Sequence, residues 1–206
     1  MTPPNQPQLY LVTPPEFELS SFPGELAKVL DQHEVACVRL ALATRDEDRL
    51  SRAADALRTI AHARDIAVVI DQHVALAEKL GLDGVHLLDG VRTVRTARKA
   101  LGKDAIVGAF CGTSKHDGMN AGEAGADYVA FGPVGTSVLG DGGQAPLDLF
   151  AWWSEMIEVP VVAEGHLDAE AIASLALVTD FLSIGEEIWG NDDPSAALGS
   201  LIAGMA

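Results

Sequence analysis

The residues able to do chemistry in this chain stand at regular intervals, each just after a short apolar run. Thr13, Arg39, Asp71-Gln72, His86, Asp89, Gly132, Thr136-Ser137, Glu164-Gly165-His166 and Glu186 follow in that order. Arg39 supplies a permanent cation for an anion or a carboxylate. His86 supplies an imidazole able to orient a ligand or move a proton. Asp71, Asp89, Glu164 and Glu187, if one pocket gathers them, make a site for a cation or an amine, because carboxylates repel phosphate unless they turn away or carry protons. A structural role is the alternative for each: Arg39 paired with Asp71, His86 hydrogen-bonded in place, and solvated acids paired with Arg39 and His166.

Such residues share a site only if the runs before them are parallel strands. Stretches 8–13, 35–40, 66–70, 83–87, 105–109, 127–131, 160–163 and 180–184 have the apolar character of strands covered on both faces. Helical spacing fills the gaps between them. The clearest helix covers 46–64, where Leu50, Ala53, Ala54, Leu57, Ile60 and Ala61 share a face and acidic residues precede basic ones, as the helix dipole favours. Gly81 reads as a left-handed helix cap, Thr113 or Ser114 and Asp168 as N-caps, and Pro194 as a first-turn proline. Eight strands alternating with eight helices predict a single (β/α)₈ TIM barrel over 9–206, after a flexible tail over 1–8. A doubly wound open sheet is the rival, but no Gly-rich phosphate turn follows the first strand. In a barrel, the chemistry belongs at the C-terminal ends of the strands, where the residues named above stand.

Composition narrows the partners. A formal net charge of −16 over 206 residues opposes binding to nucleic acid or anionic membrane. No apolar stretch reaches the roughly 18 residues of a membrane span, and the N-terminus lacks a basic-then-apolar leader, so a cytoplasmic protein is expected. Cys37 and Cys111 read as buried thiols rather than a disulfide. Trp152-Trp153 sit on a helix, so one must face outward, which fits a homodimer contact. The glycine-dense stretch 135–143 reads either as a mobile lid over a small-molecule ligand or as a disordered segment without function.

At the strand ends the sequence resembles the thiamine phosphate synthase superfamily, which also holds the TenI-like thiazole tautomerases. The resemblance rests on Leu9-Tyr10-Leu11-Val12-Thr13, Val69-Ile70-Asp71, Asp83-Gly84-Val85-His86-Leu87 and Ile106-Val107-Gly108. It continues through Gly125-Ala126-Asp127-Tyr128-Val129-Ala130-Phe131-Gly132-Pro133-Val134 and Pro160-Val161-Val162-Ala163-Glu164-Gly165. It implies a TIM barrel, a role in thiamine biosynthesis, a Mg²⁺ cofactor, and phosphate held partly by backbone amides near the seventh and eighth strands. The candidate catalytic residues are Arg39, His86 and Asp71, and the candidate ligand-binding residues are Thr13, Gln72, Asp89, Gly132, Thr136, Ser137, Glu164, Gly165, His166 and Glu186.

Several family positions are replaced. The second-strand Gln-x-Arg-x-Lys reads Cys37-Val38-Arg39-Leu40-Ala41, and the Asn-Asp pair whose aspartate holds the metal reads Asp71-Gln72. Val91 stands at the aspartate five residues after the fourth-strand histidine. The Ser-x-His after the fifth strand reads Phe110-Cys111-Gly112, and Thr-x-Thr-Lys reads Ser137-Val138-Leu139-Gly140. Gly-Gly after the seventh strand reads Gly165-His166. These losses argue against synthase activity and against a tightly held Mg²⁺. Three possibilities stand: a divergent enzyme of thiamine biosynthesis, a non-catalytic paralogue binding a small uncharged or cationic ligand, and a protein-interaction role.

Overall fold

The computed structural model describes residues 6–137, 139 and 142–205. Eight strands close into a parallel barrel in sequence order: β1 (Gln8–Val12), β2 (Val35–Leu40), β3 (Ala67–Asp71), β4 (Gly84–Leu87), β5 (Ile106–Phe110), β6 (Tyr128–Phe131), β7 (Val161–Glu164) and β8 (Phe181–Ile184). The outer ring is α1 (Phe22–Gln32), α2 (Glu47–His62), α3 (Val74–Leu80), α4 (Val94–Leu101), α5 (Lys115–Ala124), α6 (Leu147–Met156), α7 (Ala169–Leu175), α8 (Glu186–Trp189) and α9 (Pro194–Leu201). This is the expected (β/α)₈ barrel. The one-turn α8, inserted between β8 and α9, is an addition to the eight anticipated helices, and it matters for the site.

Side chains alternate along every strand, so the barrel has two apolar layers. Tyr10, Cys37, Val69, Phe110, Tyr128, Ala130 and Val162 fill the interior. Their neighbours Leu11, Val38, Val68, Ile70, Val129, Phe131 and Val161 face outward under the helices. The α2 helix buries Leu50, Ala53, Ala54, Leu57 and Ala61, and the Asp46 carboxylate caps its start by accepting from the Asp48 and Arg49 amides. Ser114, not Thr113, caps α5. Gly81 takes the left-handed conformation at φ +63° where α3 ends.

One device repeats at the foot of the barrel, the end opposite the site. Asp83, Asp127 and Asp180 each precede an even-numbered strand, and each accepts a hydrogen bond from a backbone N–H of the strand before: Val68 at 2.7 Å, Val107 at 2.7 Å and Val161 at 2.8 Å. Arg98 also pairs with Asp127, and His62 with Asp83.

Of the expected tail over 1–8, residues 1–5 lie outside the described residues. Gln8 belongs to β1, where its amide donates to the Asp180 carbonyl, and Gln6 reaches the Met205 carbonyl. Val138, Gly140 and Asp141 of the expected lid also lie outside the described residues. The tryptophan pair divides as anticipated. Trp153 is fully buried, while Trp152 is half-buried with the Lys115 ammonium 4.3 Å above its ring. Among the described residues, no helix is long and apolar enough to cross a membrane.

Candidate ligand site at the barrel mouth

Arg39 is the centre of the site. It stands near the end of β2 and reaches across the interior to Glu164, the last residue of β7. Arg39 Nη1 donates to Glu164 Oε2 at 3.1 Å, and Nη2 pairs with Oε1, so the contact is a bidentate fork. Asp71, at the end of β3, brings Oδ1 to 3.3 Å from Arg39 Nε. Arg39 and Glu164 are 4% and 5% exposed, so this pair is shielded from water, while the Asp71 side chain is 19% exposed at its edge. Burial opposes the Arg39 charge most strongly, yet Glu164 and Asp71 together hold its pKa well above the ordinary value.

One cation facing two carboxylates leaves an excess negative charge, which a dry interior resists by retaining a proton. Burial pushes the Asp71 carboxyl up to about 6, with Arg39 pulling it down and Glu164 adding to the rise. The sign of the linkage follows. A carboxyl whose folded pKa lies above its unfolded value favours folding most below pH 3.8, and that advantage is lost as pH rises through about 6. Asp71→Asn is therefore expected to stabilise the protein by on the order of 2 kcal/mol at about pH 7.5 and by little at about pH 4. Urea unfolding across that range checks this, and a stability difference independent of pH would count against it.

His86, on β4, is fully buried beside this cluster. Burial, reinforced by Arg39, holds its pKa well below the ordinary value, so the ring is neutral. Its Nδ1 lies 2.8 Å from Tyr128 Oη, which lies 2.7 Å from Tyr10 Oη. Two proton arrangements satisfy this chain: Tyr10 donates to Tyr128 and Tyr128 to Nδ1, with the His86 proton on Nε2, or Nδ1 donates to Tyr128 and Tyr128 to Tyr10, with Nε2 unprotonated. That Nε2 points toward Glu164 Oε2 at 3.9 Å and has no hydrogen-bond partner among the described residues.

Above β1, β7 and β8 the mouth opens into a cleft of about 700 Å³. Glu16, Glu18, Glu25, Glu164, Glu186 and Glu187 line it, with Phe17, Phe22 and Trp189 as its aromatic wall and no lysine or arginine among its described lining residues. Ser183, on β8, also lines the cleft; its hydroxyl is buried and unpartnered among the described residues. The Glu187 carboxylate turns inward to backbone amides, accepting from Leu167 at 2.9 Å and from Gly185 at 2.7 Å.

The structure brings only some of the anticipated residues together. Arg39, Asp71, His86 and Glu164 meet in the interior, while Ser137, Gly165, His166 and Glu186 line the cleft. Thr13 also lines it, but its Oγ1 is engaged by the Ala41 amide at 3.0 Å. Gly132 is a packing residue: a β-carbon there would overlap the Glu164 carbonyl. Thr136 is exposed, with Gln144 Nε2 3.5 Å from its hydroxyl. Gln72 takes φ +59°, is exposed, and lines a second pocket with Glu47 and Lys79. Asp89 accepts from the Thr93 hydroxyl at 2.8 Å. The four-acid convergence thus reduces to Asp71 and Glu164 on Arg39, because Asp89 and Glu187 have other partners. Sequence reasoning missed Tyr10, Tyr128 and Ser183. Tyr10 and Tyr128 carried a usable signal, for Tyr128 lies two residues before the interior Ala130, and strand alternation puts both on one face.

These donors do not fit a magnesium ion. A hard cation needs several free oxygens in octahedral array. Here Asp71 and Glu164 already face a guanidinium, Asp89 is turned to Thr93, and Gln72 replaces a carboxylate.

A closed parallel barrel with polar side chains gathered at the C-terminal strand ends defines a (β/α)₈ protein whose candidate site lies where such barrels carry one. Comparison with known proteins specifies which kind. A family model described as thiamine monophosphate synthase matches residues 9–181, and the chain belongs to that family. A protein of Rhodospirillum centenum named thiamine-phosphate synthase is 41% identical over 196 residues, covering 93% of this chain and 94% of that one. A namesake from Erythrobacter litoralis is 36% identical, covering 92% and 91%. Among solved structures, thiamine phosphate pyrophosphorylase from Pyrococcus furiosus superposes with a TM-score of 0.82 over 98% of this chain and 96% of that one, at 22% identity.

Proposed function

We propose that this barrel serves thiamine metabolism by binding a thiamine-related ring that is uncharged or cationic, without the diphosphate displacement of the coupling reaction. The observation that carries this is the cleft itself. With Glu164 held by Arg39 and Glu187 by backbone amides, Glu16, Glu18, Glu25 and Glu186 remain along it without a lysine or arginine among its described lining residues, a field that favours an organic cation and opposes a phosphate. Phe17 and Phe22 pack into the core, and Trp189, half-buried, is the aromatic side chain of the wall that a cationic ring could meet. Arg39, the one cation near the mouth interior among the described residues, is already bound by Glu164 and Asp71. We place a cytoplasmic homodimer alongside this reading, with Trp152 at the contact.

Calorimetric titration with thiamine and with thiamine phosphate, each with and without Mg²⁺, tests the proposal. Thiamine is expected to bind at least about tenfold more tightly than its phosphate, with no effect of Mg²⁺. Binding that requires both phosphate and Mg²⁺ would overturn it. The second reading is the coupling reaction itself, favoured by the name of the 41% identical relative. It predicts product from the pyrimidine diphosphate and the thiazole phosphate with Mg²⁺, measured beside an active synthase as control.

A further inference from the structure

Charges on the outer ring of helices are sorted by helix. Lys and Arg number 14 against 30 Asp and Glu, so a cation on this surface ordinarily finds an acid beside it, as Arg58 finds Asp55 and Arg64 finds Asp31. The α4 face departs from that pattern. Arg95 and Lys99 stand about one turn apart on it, with Arg92 just before the helix and Lys103 just after, all four exposed and without an ion pair among the described residues. No acidic residue lies on α4, and like charges at this spacing oppose a helix. Two helices further round the ring, α6 shows the reverse. Asp148 and Glu155 are exposed on it and Glu158 just beyond it, again without an ion pair among the described residues, and α6 holds no basic residue.

Between them lies α5, packed on both neighbours. Arg98 of α4 donates to the Gly125 carbonyl where α5 ends, and a β-carbon on Gly118 of α5 would stand 2.7 Å from the Trp153 ring of α6. Met119 is exposed at mid-helix on α5, and Trp152, under Lys115, continues an apolar surface to the exposed Met156 of α6. An apolar centre flanked by opposite charges is complementary to itself under a two-fold axis running along α5, which lays α4 of each copy on α6 of the other. The register agrees. Every helix of the ring starts at the mouth, and 92–103 and 148–158 each span about three helical turns, so Arg92 and Arg95 meet Asp148 while Lys99 and Lys103 meet Glu155 and Glu158. Glu123, exposed toward the foot end of α5, meets its own counterpart and opposes the pairing, one like-charge contact against opposite-charge contacts made twice over. An axis across the helices would instead stack α4 on α4 and α6 on α6. We infer that the α4–α5–α6 face is a self-association surface whose occupant is a second copy of this chain, docked α4 to α6. This rests on the homodimer reading above and specifies its surface and symmetry.

Sedimentation equilibrium of the full chain at one fixed ionic strength tests this, with Lys99→Glu, Glu155→Lys and an equimolar mixture of the two beside the native protein. Both substitutions fall on exposed helix positions, and circular dichroism checks that each variant is folded. Each variant alone sets like charges together at two symmetric places, so its self-association is expected to weaken at least about tenfold. In the mixture, both contacts of a mixed dimer again join opposite charges, and association is expected to return to near the native strength. Net charge alone predicts otherwise: Lys99→Glu would weaken association and Glu155→Lys, which makes the chain less negative, would tighten it. That split result would overturn the inference. Weakening of both variants without rescue in the mixture would also overturn it, because Lys99 and Glu155 would then not face each other. If the native protein dimerises and neither variant changes the affinity, the inference fails while the homodimer stands on another geometry, with Trp152→Ala as its probe. A native protein that stays monomeric overturns both.

Discussion

Arg39→Met is expected to lower the unfolding free energy by about 3–5 kcal/mol at neutral pH, because it strands the Glu164 carboxylate in a shielded interior with Asp71 at its edge. The guanidinium is held by three contacts, two to Glu164 and one to Asp71. A buried ion cluster of this kind gains little over an apolar filling of equal volume, since desolvation offsets most of the attraction. The triple replacement Arg39→Met, Glu164→Leu, Asp71→Asn is therefore expected to recover most of the loss. Urea midpoints at matched slopes measure both. The single variant should also regain stability on acidification, as the stranded carboxylates take up protons. Equal loss in the single and triple variants would mean that the Arg39 stem, and not charge, supports the mouth.

Gly84→Ala is expected to cost more than about 3 kcal/mol and to leave little folded protein, a larger loss than most substitutions that enlarge a core side chain. Gly84 opens β4, where an added β-carbon would overlap the Ile106 carbonyl oxygen and lie 2.6 Å from its carbon. The obstacle is backbone of the neighbouring strand, so no rotamer change relieves it. Gly24, on α1, is the contrast, with nothing within 4 Å of an added β-carbon. Gly24→Ala should raise stability by about 0.5–1 kcal/mol through helix propensity. Thermal unfolding by circular dichroism reads both, and a Gly84→Ala protein melting within a few degrees of the native one would refute the overlap.

The barrel was legible because its signals are local. Buried parallel strands appear as apolar runs, and helices as stripes such as Leu50, Ala53, Ala54 and Leu57, so the order of elements could be read along the chain. Strand ends slipped by a residue where an interior polar side chain closes the run: β3 extends to Asp71 and β7 to Glu164, both placed one step beyond the expected strands. The site was legible only in part, since pairings across a barrel join residues far apart in sequence. Arg39 and Glu164 are 125 positions apart, and nothing near either residue announces the other. Glu164 read either as an acid opposing phosphate or as a partner of Arg39, and the pairing with Arg39 is what forms. Glu187 looked like one more such acid, yet its side chain turns back onto the amides of two loops. The one-turn α8 that carries it is too short to leave a periodic pattern.

The aspartates at the foot of the barrel bear on how this mouth could ever be rebuilt. Each ties the start of one strand to a backbone N–H of its neighbour, which pins the β3–β4, β5–β6 and β7–β8 pairs in register. Sliding a strand by one residue would exchange its interior and exterior sets, and these ties oppose that slide. Asp71 is thus committed to Arg39, and Gln72 to the outside, for as long as Asp83 grips β3. An engineer seeking to return a metal-binding carboxylate to the mouth would have to substitute residue by residue, since no insertion or deletion in the loop after β3 can move Asp71 into Gln72's place without breaking that grip.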